Sequence, residues 1–114
     1  MELKDGHHIN TNGSEVWIQD GEIHREDGPA IIHSDKTEIW YKNGKKHRED
    51  GPAVTGLNGY KKWYICGFLH REDGPAYMHE DGFGSYWLNG TQYENKVLWR
   101  LEVQKLKRQQ KEAK

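Results

Sequence analysis

The heptapeptide His-Arg-Glu-Asp-Gly-Pro-Ala occurs three times without change in this chain, at His24–Ala30, His47–Ala53 and His70–Ala76, always 23 residues apart. A fixed period of that size marks a repeat array, in which each unit is one supersecondary element and neighbours must stack to bury its apolar face. The rest of the unit keeps the period: Trp17, Trp40 and Trp63, with Tyr86 beside Trp87 in the fourth register; Gly21, Gly44, Gly67 and Gly90; Asn12, Asp35, Asn58 and Asp81. Three units, near 11–33, 34–56 and 57–79, and a partial one over 80–93 follow, and 114 residues hold them in one domain.

Within a unit, Thr37 to Lys42 reads as a strand, Asn43-Gly44 as a type I′ hairpin turn in which both residues take φ > 0, and Lys45 to Arg48 as the return. Glu49-Asp50-Gly51-Pro52 then breaks the strand, because proline cannot donate to a ladder, and Ala53-Val54-Thr55 opens another. The expected fold is mainly β: a meander of repeated antiparallel β-hairpins, an open sheet or β-solenoid, with one C-terminal α-helix. Only 33% of residues are hydrophobic, but the five Trp and six Tyr recur in register. Each such ring can bury about 150–250 Å², so the Trp row is the expected core of a thin array. Neighbouring strand residues face opposite ways, which puts the Tyr row on the other face with Lys42, Lys61 and Lys62.

The Gly/Pro punctuation stops at Tyr93, and Glu94 to Lys111 reads as a helix within a basic segment, residues 94–114, that belongs to the same domain. Trp99, Val103 and Leu106 make its apolar stripe, widened by Leu98 and Leu101, to pack on the last unit; the polar remainder can cap the sheet or project. Residues 1–93 carry ten Lys/Arg against fifteen Asp/Glu, and residues 94–114 seven against three. The single cysteine, Cys66, forbids an intrachain disulfide and suits a reducing interior. No run approaches the roughly 18 apolar residues of a membrane span, so a cytoplasmic protein without a membrane partner is expected.

The period, the aromatic strand, the Asn-Gly turn and the following His resemble MORN-type repeats over roughly residues 10–93. The unit YKNGKKHREDGPA, and a last unit YWLNGTQYENKVLWRLEV running into a helix, resemble a divergent variant found in small uncharacterised proteins of bacteriophages and large viruses. Arg-Glu-Asp-Gly-Pro stands where the common pattern has Gly-x-Gly, so the resemblance implies the fold and a viral setting, in the host cytoplasm, rather than lipid binding.

The rows His24, His47, His70; Arg25, Arg48, Arg71; Glu26, Glu49, Glu72; and Asp27, Asp50, Asp73 could in principle ligate metal or do acid–base work. A catalytic site needs one constellation, whereas these four residues recur in every unit and include a cation that repels metal. A structural ladder is the expectation, with aspartate in an Asx turn and arginine paired to a carboxylate. His7, His8, His33 and His79 are scattered, and Cys66 replaces a turn former with no base beside it. No catalytic residue, metal or cofactor is expected.

The expected function is a non-enzymatic protein-interaction module, in a phage a protein that binds and inhibits or redirects a host protein. Tyr41, Tyr64 and Tyr86 on the array and Trp99, Arg100, Lys107 and Arg108 on the helix are its candidate contacts. The alternative is a small-molecule or nucleotide binder using the repeated Arg and Tyr rows. Nucleic-acid partners are disfavoured by the acidic body. A second copy could pair along the sheet edge or the helix.

Overall fold

The computed structural model describes residues 4–112. The chain folds through β1 (Gly6–Ile9), β2 (Glu15–Gln19), β3 (Glu22–Ile23), β4 (Ile31–Ile32), β5 (Glu38–Ile39), β6 (Tyr41–Lys42), β7 (Lys45–Lys46), β8 (Val54–Thr55), β9 (Lys61–Lys62), β10 (Tyr64–Ile65), β11 (Phe68–Leu69), β12 (Tyr77–Met78), β13 (Gly84–Leu88), β14 (Thr91–Tyr93) and α1 (Lys96–Glu112). One antiparallel sheet runs β1-β2-β4-β5-β8-β9-β12-β13-β14, with β3 also paired to β2; β6-β7 and β10-β11 are separate hairpins. The fold is the expected open meander closed by a C-terminal helix, in a body of 47 × 38 × 22 Å.

The strand expected over Thr37 to Lys42 is interrupted at Trp40. Glu38 and Ile39 pair with β4 and β8 in the sheet, while Tyr41 and Lys42 pair with β7 in a hairpin. The same division at Trp63 separates β9 from β10. The array therefore has two rows: sheet strands, and hairpins ending in turns. Those turns are the predicted I′ type, with φ of 51° and 78° at Asn43-Gly44 and similar values at Asp20-Gly21, Cys66-Gly67 and Asn89-Gly90. Each hairpin is tied to the previous one, because Gly44, Gly67 and Gly90 donate their N–H to the carbonyls of Ile23, Lys46 and Leu69.

The fully buried row is alanine, not tryptophan. Ala30, Ala53 and Ala76 have no exposed surface, whereas Trp17, Trp40 and Trp63 are half-buried. Each alanine sits between strands with both backbone groups bonded: Ala53 accepts from Trp40 N–H and donates to the Lys62 carbonyl, and Ala30 and Ala76 do the same in their units. A larger side chain has no room there, and the tryptophan rings lie outside this line.

The one cluster of buried side chains among the described residues is at the C-terminal end: Leu88, Trp99 and Val103, flanked by Tyr86, Tyr93 and Leu106. Asn95 caps α1, its side chain accepting from Leu98 N–H at 3.0 Å. The helix thus starts at Lys96, two residues after the position its composition suggested. Leu98 and Leu101, expected on the packed stripe, are exposed with Val97, because Trp99, Val103 and Leu106 by themselves fill the width of the contact. No helix is long and apolar enough to cross a membrane among the described residues.

Candidate functional site

The three heptapeptides form clamps of one design. In each, the histidine Nδ1 accepts the N–H of the first turn residue of the next unit at 2.9 Å: His24 from Asn43, His47 from Cys66, His70 from Asn89. An accepting Nδ1 leaves the ring proton on Nε2, which faces the motif glutamate. His24 Nε2 meets Glu26 at 2.7 Å and His70 Nε2 meets Glu72 at 2.9 Å. The His47–Glu49 contact is looser, at 3.4 Å, and Nε2 makes no hydrogen bond there.

The arginine closes the other half of the clamp. Arg48 Nε donates to Asp50 at 2.9 Å, its Nη1 donates to the Pro52 carbonyl at 3.2 Å, and its guanidinium lies 4.0 Å over the Trp40 ring. Arg25 with Asp27, Pro29 and Trp17, and Arg71 with Asp73, Pro75 and Trp63, repeat this geometry. Hydrogen bonding and charge from Arg48 hold the Asp50 carboxyl below its ordinary value. The motif glycine makes room for the guanidinium: a Cβ on Gly28, Gly51 or Gly74 would stand 2.9, 3.1 or 2.9 Å from the arginine Cζ. Every residue of the motif thus has an internal role, and the tryptophan ring is covered by a guanidinium rather than by a second apolar layer.

Both ends of the array carry substitutes for the missing neighbour. No HREDGPA motif precedes the first unit to supply a clamp histidine to its turn, and Asp5 accepts the N–H groups of Asp20 and Gly21 at 2.9 and 3.1 Å. Those two bonds hold the Asp5 carboxyl below its ordinary value. One period after Arg71 stands Glu94 instead of an arginine, and Trp99 packs tilted against Tyr86, at 50° with ring centroids 4.8 Å apart, while donating its Nε1–H to the Arg71 carbonyl at 3.0 Å. Tyr86 therefore belongs to the tryptophan row and Trp87 to the tyrosine row. The backbone agrees, because Arg25, Arg48 and Arg71 donate their N–H to the carbonyls of Tyr41, Tyr64 and Trp87.

Of the candidate contacts, Tyr86 and Trp99 are thus engaged in the closing contact. Arg100 and Lys107 lie along the last motif, lining a groove with Glu72 and Asp73, and Arg108 is exposed. Basic α1 so runs beside the motif carboxylates. Tyr41 and Tyr64 are half-buried and share their face with Lys46 and Lys62. Burial, with Tyr41 and Tyr77 beside it, raises the Tyr64 phenol above its ordinary value. Lys42 and Lys61, expected beside the tyrosines, are exposed instead. Two features escaped the sequence: the apolar outer face of α1, where Val97, Leu98 and Leu101 are 66%, 46% and 57% exposed, and the Lys46–Lys62 pair. The residue types alone carry the first signal, since Val97, Leu98 and Leu101 are too many for one packed stripe.

No protein-family model matches the chain, and neither a curated protein nor a solved structure does.

Proposed function

We propose that this chain is a non-enzymatic protein-interaction module in which the repeat array is a rigid mount and the outer face of α1 is the contact surface. The observation that carries this reading is the helix itself. Its inner side is anchored by buried Trp99 and Val103, yet Val97, Leu98 and Leu101 stay exposed on the opposite side, followed by Lys105, Arg108 and Lys111. A contiguous apolar patch rimmed by cations on a fixed helix is the composition of an interface core and rim. The motif residues support the reading, because the His, Arg and Asp of every unit are hydrogen-bonded within the array, and each motif glutamate lies within ion-pair distance of its histidine. The likeness to small viral proteins makes a host protein the proposed partner class.

The test is affinity capture of the tagged full chain from host cytoplasm beside Leu101→Glu, with the oligomeric state of both measured by light scattering. Leu101 is exposed, so the variant keeps the fold. One protein retained in stoichiometric amount by the parent and lost by the variant is the expected result. A dimer broken by the variant would identify a second copy as the occupant, and equal retention by both chains would refute the surface.

A further inference from the structure

Lys46 on β7 and Lys62 on β9 project into one groove of about 440 Å³ whose walls include Ser14, Thr37, Asp35 and Tyr60. Both lysines are half-buried. The described residues form seven ion pairs, and neither lysine is in any of them. Their nearest rings are tyrosines: Lys46 Nζ lies 5.2 Å from the Tyr64 centroid, and Lys62 Nζ lies 4.7 Å from Tyr77 and 5.9 Å from Tyr60. Asp35, the carboxylate in the groove, is taken up by Thr37, through its N–H at 2.9 Å and its hydroxyl. Glu80 and Asp81 border the neighbouring depression on the far side of Lys62 without reaching it within ion-pair distance.

Two ammonium groups lining one groove, neither of them in an ion pair, are unfavourable: burial first, and the Lys46 charge second, push the Lys62 ammonium below its ordinary value. Ring faces offset part of this, but a ring quadrupole is a weak substitute for an anion. We propose that this groove is a binding site for a tetrahedral dianion of the phosphate or phosphomonoester class, held by Lys46 and Lys62 with the hydroxyls of Ser14 and Tyr60 within the same walls. A dianion neutralises both lysines at once, which a single carboxylate does not. The ring faces nearest the lysines are already occupied, and His79 stacks on Tyr77 at 3.9 Å, so the site recognises the charged group rather than a stacked base. It lies apart from α1 and does not depend on the protein-contact reading.

The experiment is thermal unfolding of the full chain at neutral pH and constant ionic strength, with inorganic phosphate, then phenyl phosphate, replacing chloride. Parent, Lys62→Gln and Lys46→Gln are compared. The expected result is a saturable rise in the parent midpoint, with affinity lowered roughly tenfold or more in each variant. In chloride alone Lys62→Gln is at least as stable as the parent, because the like-charge repulsion is gone. Tighter binding of phenyl phosphate than of inorganic phosphate would assign the site to an organic phosphomonoester, and the reverse to free phosphate. An equal rise in parent and variants, or no rise beyond chloride, overturns the proposal.

Discussion

Gly51→Ala separates the clamp geometry from a generic turn role. Gly51 is not among the residues with positive φ, so alanine fits its backbone, and by itself the change should stabilise the protein by about 0.4–1 kcal/mol through the unfolded chain. The new Cβ, however, would stand 3.1 Å from Arg48 Cζ and must displace the guanidinium. That forfeits the contact over Trp40, about 0.5–2 kcal/mol, and the Nη1 bond to the Pro52 carbonyl, about 0.5–1.5 kcal/mol. The net expectation is destabilisation by about 1 kcal/mol, a fall of roughly 3–5 °C in Tm for a chain of this size. Urea and thermal unfolding followed by tryptophan emission and circular dichroism read it directly. The decisive arm is the background Arg48→Ala, where nothing remains for the Cβ to strike and the same substitution turns neutral or stabilising. Gly28→Ala and Gly74→Ala, with approaches of 2.9 Å, should cost at least as much as Gly51→Ala. If Gly51→Ala stabilises the parent as it does the Arg48→Ala background, the guanidinium is not held against the glycine and the clamp is wrong.

Trp99→Ala removes the ring that covers Tyr86 and Leu88 and the donor to the Arg71 carbonyl, and should cost about 3–5 kcal/mol in chemical unfolding; an unchanged urea midpoint would show that the helix is not a cap. Cys66 holds φ of 49° in the turn, where Asn43 and Asn89 stand in other units, so Cys66→Asn should raise stability by about 0.5–1 kcal/mol while keeping the N–H that donates to His47; a loss of stability would contradict it. Asp5, Asp35 and Asp50 all titrate below 3.8 in the folded protein, so their stabilisation is complete above that unfolded value and is lost as pH falls through their lower folded values. Asp5→Asn should therefore make the acid limb of a stability–pH curve shallower, with stabilities of parent and variant converging at the lowest pH; parallel curves would refute the assignment.

The period and the turn chemistry made the architecture legible, because Asn-Gly and Asp-Gly encode their φ values locally and a 23-residue repeat leaves no alternative to stacking. The bend at Trp40 was not legible. It exists because Ile39 and Tyr41 pair with different strands, and pairing partners are not written in local propensity. The burial order was inverted for a related reason. Tryptophan looks like core by size, but here the motif arginine covers it and the tight strand spacing is kept by alanine, a residue whose smallness carries no signal until its neighbours are known. Tyr86 and Trp87 show the opposite failure: the period assigns them correctly, and reading them by residue type exchanges them.

The two ends of the array show how a repeat of such regularity is closed. Each clamp joins one unit to the next, so an array of identical units leaves a turn without its histidine at one end and an aromatic ring without its arginine at the other. Asp5 supplies the two acceptors that inner units take from a histidine Nδ1 and the carbonyl of the preceding hairpin, and a carboxylate suits that place because the turn N–H groups it meets are exposed to water and need charge to compete with it. Trp99 covers Tyr86 with an indole instead of a guanidinium, which converts a polar clamp into an apolar seat and turns the chain from hairpin to helix. Neither residue keeps the 23-residue period, so neither could be recognised by it. The same departure places α1 where one side is buried and the other is left for a partner, so the device that ends the repeat also creates the surface proposed for function.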